Sequence, residues 1–256
     1  MAALSLTLHF VRREIGNRYL GSFSGGLWAL FQPLIQLAVY SLVFVYVFRQ
    51  GPPPGSNIGY VPFLAVALWP WTAFSEGLSR ATTVIQDNAP LIRKVAMPGE
   101  VLVFSSVASS FLIHGVGFCI IVIALRLFGV PISLIALPLA LGAFAQLFVF
   151  ALGVAFLFAA LQVFVRDLAS ALPQVLMLWM FGSPIFYGRD ALPLRYRSWM
   201  DWNPLTHYTE FFRATLLGVG SVQAVETLVS LIVACAAFAI GLAVFRRLKP
   251  HFEDFL

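Results

Sequence analysis

Long apolar segments separated by short polar ones dominate the pattern of hydrophobic and polar positions along this chain. A helix needs about 20 apolar residues to cross the roughly 30 Å hydrocarbon layer of a membrane. The pattern therefore predicts six transmembrane helices, at 27–48, 60–79, 100–125, 134–163, 169–187 and 223–245. We expect an all-α integral membrane protein that forms one domain over residues 1–256.

Two further segments show helical patterns without the length or apolarity of a span. Residues 4–20 carry apolar side chains at helical spacing and basic ones on the other faces, which is typical of a helix lying in the membrane interface. Within 188–222, Asn203-Pro204 is a helix-start signal and Gly218 a stop, and the helix between them reaches only about 22 Å. We predict a re-entrant or interfacial helical hairpin there, on the outer face.

Composition supports membrane insertion, since only 11% of the residues are charged and the mean hydropathy is +0.90. A soluble domain carries roughly 25% charged residues, so an ordinary cytoplasmic enzyme is excluded. A net charge of +5 would suggest nucleic acid in a soluble protein, but in a membrane protein it marks cytoplasmic loops, and we expect no nucleic-acid partner. With both termini in the cytoplasm, ten of the sixteen Lys and Arg residues fall on the inner side, which favours that orientation.

The motifs of common catalytic sites are missing from the sequence. A Walker A loop ends in Lys followed by Ser or Thr, but Lys94 precedes Val95 and Lys249 precedes Pro250. There is no HExxH and no G-x-S-x-G. Cys119 and Cys235 lie in apolar runs and are interpreted as small hydrophobic residues. We therefore expect neither an enzyme nor a metal or cofactor site in this chain, and an intramembrane glycosyl- or acyltransferase is the remote alternative.

Few charges interrupt the predicted spans. Glu76 stands one helical turn before Arg80 and can pair with it, while Glu100 opens a helix and suits its dipole. His114 is interpreted as an interhelical hydrogen-bonding group, with a proton relay as the alternative. Self-powered ion-coupled transport is disfavoured, because such carriers usually need buried carboxylates.

Aromatic residues and an N-terminal set of arginines are the remaining candidates for function. The arginines are Arg12, Arg13 and Arg18, which either anchor the topology or bind an anionic lipid-linked ligand. The rings belong to an interfacial belt, to packing, or to a path on which sugars stack. The candidate path residues are Trp28, Phe31, Tyr40, Phe44, Trp69, Trp71, Phe74, Trp179, Phe186 and Tyr187.

Four blocks in order carry a family resemblance. RYLGSFSGGLWALFQPLIQLAVYSLVF at 18–44 and WPWTAFSEGL at 69–78 resemble segments of ABC-2 type permeases that export cell-surface polysaccharide. NAPLIRKVAMPGEVLVFSSV at 88–107 is similar to the cytoplasmic loop of these permeases, and SPIFY at 183–187 followed by NPLTHYTEFFRATLLG at 203–218 completes the pattern. The likeness is greatest to permeases of lipopolysaccharide O-antigen exporters, with teichoic-acid exporters as near relatives.

The resemblance implies a homodimer of six-span subunits in the bacterial inner membrane, joined to two copies of a separate subunit that binds ATP and Mg. The channel would lie between protomers, lined by the first, second and fifth spans, and carry a polyprenyl-diphosphate-linked polysaccharide. Arg12, Arg13 and Arg18 would meet its diphosphate at the inner interface. The loop 81–99 would hold the helix that couples to the ATPase. Its candidate contacts are Asn88, Leu91, Arg93 and Lys94.

Two points leave the assignment open. Met97-Pro98-Gly99 departs from the family pattern, which more often has an aromatic residue before the Pro and a basic residue after it. A permease for teichoic acid, capsule, drug or lipid shares the architecture, and a stand-alone channel or carrier would need no ATPase partner.

Overall fold

The computed structural model describes residues 2–19, 27–51, 56–95 and 97–255, and within these ranges the chain is helical without strands. The helices are α1 (Ala2–Tyr19), α2 (Trp28–Leu42), α3 (Tyr60–Asp87), α4 (Ala89–Val95), α5 (Gly99–Leu127), α6 (Leu137–Phe164), α7 (Leu168–Phe181), α8 (Leu194–Asp201), α9 (Pro204–Leu217) and α10 (Ala224–Leu248). A π-helical segment, Val43–Val47, extends α2. Short 3-10 turns at Leu134–Ala136 and Lys249–Asp254 precede α6 and follow α10.

Helix α3 is the centre of the fold. Its 28 residues make it about 42 Å long, and α2, α5, α6, α7 and α9 all pack against it. It runs past residue 79, where the predicted second span ends, because residues 80–87 contain no Gly or Pro and Ala81, Val84 and Ile85 remain buried. The first part of the predicted 81–99 loop is therefore helix, and α4 follows it after Asn88.

Helices α6 and α10 form a tightly packed pair. At their crossing, a Cβ atom on Gly241 would overlap the carbonyl of Gly153, and one on Gly153 would overlap the backbone at Ala237 and Phe238. Glycine at both positions lets the two backbones touch. This contact sets the separation of the two helices.

Four described segments are long and apolar enough to cross a membrane: 28–47, 99–127, 134–164 and 224–252. The chain is thus a multi-pass membrane protein. Helix α3 is excluded from this group by the polar residues of its second half, and α7 has only 14 residues because it ends at Phe181, before the predicted limit at 187. Six spans therefore remain a prediction.

The two segments expected not to span are helical. Helix α1 packs along α5, and its location in the membrane interface remains a prediction. Helix α9 begins and ends as predicted: the Asn203 side chain accepts a hydrogen bond from the Leu205 N–H, Pro204 takes the first position, and Gly218 adopts a left-handed φ of 65°. Its re-entrant placement remains a prediction too.

Candidate functional site

A cavity of about 500 Å³ lies between α2, α3 and α7, which the sequence analysis selected as path-lining helices. We call it the groove. Hydroxyl, amide, aromatic and apolar side chains alternate on its walls. They come from Gln32, Gln36, Tyr40, Trp71, Thr72, Ser75, Glu76, Ser79, Pro173, Leu176, Met177 and Met180.

The α2 wall of the groove is a polar stripe on an otherwise apolar helix. Gln32, Gln36 and Tyr40 are each four residues apart, so they share one face of α2. Side-chain amides facing lipid tails would have no hydrogen-bond partner, whereas a polar passage supplies one. The two glutamines were not among the predicted site residues, although their spacing with Tyr40 is a signal that could have found them.

The α3 wall is uncharged along most of its length. The hydroxyls of Thr72, Ser75 and Ser79 donate to the carbonyls of Leu68, Thr72 and Ser75, at 2.9, 3.3 and 2.8 Å. Their donors are used within the helix while their oxygens can still accept hydrogen bonds. This wall is therefore suited to weak, repeated contacts with hydroxyl-bearing ligands.

The groove ends at a charged cluster around Glu76. The Glu76 carboxylate lies 2.7 Å from Arg80 Nε, 3.0 Å from Arg18 Nη1 and 2.6 Å from His114 Nε2. The predicted pairing with Arg80 and the interhelical hydrogen bond of His114 are both confirmed. The cluster joins α1, α3 and α5 at the edge of the groove.

The three N-terminal arginines lie in different environments. Arg18 has a side chain only 3% exposed, and besides Glu76 it donates to Ser109 and Ser110. Arg13 donates to Asn88 Oδ1 at 2.8 Å, and Arg12 is exposed. The structure thus does not bring the three guanidinium groups into one site, and a diphosphate contact stays a prediction.

The predicted coupling residues surround the start of α4. Asn88 accepts from Arg13 and donates to the Val84 carbonyl at 2.9 Å, so it ties α4 to α1 and α3. Leu91 is half-buried, while the side chains of Arg93 and Lys94 lie outside the described part of the structure. Their contacts with an ATPase stay predictions.

Glu100 does more than open α5. Its carboxylate lies 2.9 Å from Lys249 Nζ and 3.9 Å from Arg246 Nε, so it holds the C-terminal segment against the start of α5. This pairing of distant residues could not be anticipated from its position at a helix start.

The ten candidate aromatics divide by location. Tyr40 and Trp71 line the groove. Trp69 is 1% exposed and faces α5, where a Cβ on Gly117 would collide with its indole ring. Trp28 and Phe31 are about half exposed on α2, at 52% and 50%.

The remaining aromatics pack in two ring clusters. Phe74 lies edge-on to Trp179 at 5.3 Å, and the Trp179 indole donates to Asn203. Phe44 stacks on Phe186 at 5.0 Å, and Tyr187 donates its hydroxyl to the Phe181 carbonyl. These residues pack against other side chains or the backbone, and Phe186 and Tyr187 also line a second cavity. Their place on a path stays a prediction.

A second cavity, of about 600 Å³, lies where the first turn of α3 meets α9, at the opposite end of α3 from the Asn88 contact. We call it the α9 cavity. Its walls come from the end of α2, the segment after α7, α9 and the start of α10. They are formed by Gln50, Gly51, Tyr60, Phe63, Phe186, Tyr187, Gly188, Arg189, Asp190, Ala191, Glu210, Arg213, Val219, Gly220, Ser221, Gln223 and Glu226.

Arg213 builds one wall of the α9 cavity. It is 3% exposed and donates to the carbonyls of Pro184, Ile185, Tyr187 and Phe63, while its guanidinium lies 3.5 Å from the Phe63 ring centroid. Sequence reasoning placed this residue on the α9 helix but assigned it no role. Its partners are backbone oxygens, which leave no mark on the sequence pattern.

Two titratable groups of α9 have shifted pKa values. Loss of solvation raises the pKa of Glu210, and the nearby arginines Arg189 and Arg213 only partly oppose this. Loss of solvation lowers the pKa of His207, against the attraction of Glu226. At neutral pH both shifts are signs that this region disfavours charge.

No group of three or more His, Cys, Asp or Glu residues that could hold a metal ion occurs within the described ranges.

Comparison with known proteins agrees with these features. Residues 5–217 match the family described as ABC-2 type transporter. The O-antigen export system permease protein RfbA of Klebsiella pneumoniae is 27% identical over 254 residues, covering 98% of this chain and 95% of the relative. RfbA of Myxococcus xanthus is 31% identical over 194 residues, which are 71% of this chain and 68% of the relative. The polysialic acid transport protein KpsM of Escherichia coli is 25% identical over 243 residues, 91% and 90% of the two chains. Since the family match covers most of the helical bundle, this chain belongs to the ABC-2 type transporter family.

Proposed function

We propose that this chain is the permease subunit of an exporter that moves a polyprenyl-diphosphate-linked cell-surface polysaccharide outward across the bacterial cytoplasmic membrane. The observation that carries the proposal is the groove between α2, α3 and α7. Its amides and hydroxyls can exchange hydrogen bonds with sugar hydroxyls, and the rings of Tyr40 and of Trp71, which is 7% exposed, border the groove where they can contact sugar faces. The names of the relatives point to the same class of substrate.

Two copies of the chain would form the complete passage. Helix α2 exposes its apolar residues along much of its length, and within the described part of the chain the groove beside it is walled by α2, α3 and α7. A second copy facing α2 and α7 would close the groove into a channel. In this arrangement α3 and α7 complete a set of six spans, both termini are cytoplasmic, and the α8–α9 region lies on the outer side.

The driving force would come from two copies of a separate ATP-binding subunit, which hold ATP and Mg. We place their docking surface at α4. A movement of α4 reaches α1 through the Asn88–Arg13 hydrogen bond, and the same helix α1 reaches the edge of the groove through Arg18 and Glu76. Because hydrogen-bonded helices move together, closure of the ATPase would alter the groove at its inner end.

The test is export in a strain that lacks this gene and carries one variant at a time. Trp71→Ala removes a groove ring and should reduce surface polysaccharide several-fold, whereas Trp71→Tyr should retain export. Trp199→Ala is the matched control, since Trp199 is 73% exposed on α8. Arg12→Gln, in the same assay, tests the proposed contact of Arg12 with the diphosphate, and it removes no hydrogen bond or ion pair seen in the structure. Undiminished export would show that Arg12 has no such role.

Each variant is compared at equal amounts of protein in the membrane fraction. Wild-type export by Trp71→Ala would contradict the groove as the path. Loss of the gene without loss of surface polysaccharide would overturn the proposed function, and loss of drug or lipid efflux instead would assign the chain to another class of exporter. Failure to co-purify with a P-loop ATPase would exclude the ATP-driven mechanism.

A further inference from the structure

A partition of aromatic rings separates the groove from the α9 cavity. Tyr40, which lines the groove, contacts Phe186 edge-on at 4.9 Å, and Phe186 lines the α9 cavity. Phe44 stacks on Phe186 at 5.0 Å and on Tyr60 at 5.7 Å, and Tyr60 also lines the cavity. The two spaces therefore adjoin through one layer of rings. A polysaccharide that leaves the groove past these rings enters the α9 cavity.

Four polar side chains in the α9 cavity have no partner among the residues that the structure describes. Glu210, Glu226, Gln50 and Gln223 make no side-chain hydrogen bond or ion pair with any described residue. Glu210 is half-buried, and loss of solvation raises its pKa. No described cation forms an ion pair with it that would offset this loss. Carboxylates and amides left unpaired in a concave site are groups that a ligand can satisfy.

We propose that the α9 cavity binds a few sugar units of the exported chain as it emerges from the groove. This inference rests on the proposed function and adds a site to it. Carboxylate oxygens accept hydrogen bonds from pairs of sugar hydroxyls, and the two amides can both donate and accept. A cavity of about 600 Å³ lies in the size range of small-molecule sites and accommodates a short oligosaccharide.

The charges of the cavity select the kind of sugar. Its wall carries three carboxylates, those of Asp190, Glu210 and Glu226, against two arginines, and the donors of those arginines are engaged by backbone carbonyls (Arg213) and by Asp201 (Arg189). Glu210 and Glu226 also line the cavity, and neither forms an ion pair with a described residue, although Arg189 and Arg213 lie close enough to Glu210 to lower its pKa in part. A polyanion would be repelled there, so the site takes neutral, hydroxyl-rich sugar units rather than acidic ones.

Thiol labelling in intact cells tests the site separately from export. In a chain carrying Cys119→Ala and Cys235→Ala, Gln223→Cys places one thiol on the cavity wall, and Trp202→Cys places one on a side chain 88% exposed and outside the cavity. Labelling by a membrane-impermeant maleimide is compared between cells that make the polysaccharide and cells blocked in its synthesis. We expect labelling at 223 to slow several-fold when polysaccharide is made, and labelling at 202 to stay unchanged.

A second arm uses the double variant Glu210→Gln with Glu226→Gln, against Asp254→Asn as a remote charge control. The double variant should lose the protection at 223 and export less polysaccharide at equal protein level, whereas the control should retain both. If labelling at 223 is as fast in cells that display the polysaccharide as in cells blocked in its synthesis, the sugar-binding site in the cavity is overturned while the proposed function stands. An exported polymer rich in acidic sugars would overturn the neutral-sugar assignment, and polysaccharide display independent of this gene would overturn the proposed function itself.

Discussion

Arg213 illustrates how a full charge is accommodated among apolar helices. An isolated buried guanidinium would be costly, but here four backbone carbonyls and the face of Phe63 surround it. These carbonyls belong to the segment after α7 and to the first turn of α3. A single side chain of α9 thus fastens two other elements together.

Replacing Arg213 with Met should destabilise the protein by on the order of 3 kcal/mol, because the carbonyls that it binds lose their donors while remaining buried. Arg195→Met removes an exposed arginine that stacks on Tyr196 and is the matched control, with little expected change. The thermal unfolding midpoint of each purified variant in detergent measures the change in stability. A midpoint for Arg213→Met equal to that of the control would show that these hydrogen bonds contribute nothing to stability.

Glu210 should make stability depend on pH. Its pKa is raised in the folded chain. Its contribution to the free energy of unfolding is therefore favourable at a pH below the ordinary carboxyl pKa, and it is lost as the pH rises through the pKa of the folded chain. Glu210→Gln should therefore raise the thermal midpoint at pH 7, by roughly 1–2 °C, and the difference from wild type should vanish in mildly acidic buffer. The charged groups acting on Glu210 are Arg189, Arg213, Glu226 and Asp201. A difference in thermal midpoint between Glu210→Gln and wild type that grows on acidification would contradict the raised pKa of Glu210.

At the scale of elements, the contact between α6 and α10 depends on two glycines. A Cβ atom at Gly241 has no space, because the carbonyl of Gly153 occupies it. Gly142 lies on the partner helix α6, where a Cβ would meet no atom within 4 Å beyond the helix's own backbone, so it is the matched control. Gly241→Ala should cost about 1–3 kcal/mol through forced separation of the helices, whereas Gly142→Ala should be neutral or slightly stabilising.

Thermal midpoints and the amount of folded protein in the membrane fraction are the measurements for this pair. If Gly241→Ala were as stable as Gly142→Ala, the close approach of α6 and α10 would not exist in the protein.

Element ends were predictable where the backbone itself carries a signal. Asn203-Pro204 and Gly218 bound α9 because capping and left-handed φ are local preferences. The end of α3 was missed because hydropathy falls after residue 79 while the helix continues, held by burial against other helices. The early end of α7 was missed because Ile185, Phe186 and Tyr187 continue the apolar run, although Gly182-Ser183-Pro184 is a local stop signal and the segment leaves the helix to meet Arg213.

At the scale of the whole molecule, orientation follows from charge. Reporter fusions that are active only in the periplasm should be active after Gly220 and inactive after Phe255, and cytoplasmic reporters should show the opposite. The physical reason is the excess of basic residues on the inner side, which resist translocation. Periplasmic activity of the fusion after Phe255 would reverse the proposed topology.

The sequence by itself determined the class of molecule: an all-helical membrane protein, its main apolar segments, the caps of α9 and the family. These depend on local composition and spacing, which apolar length and backbone preference translate directly into structure. Only the tertiary structure decided which rings face the groove, that Arg18 meets Glu76, and that Arg213 binds distant carbonyls. Such contacts join residues far apart along the chain, and an aromatic or basic residue looks the same in sequence whether it packs, pairs or lines a path.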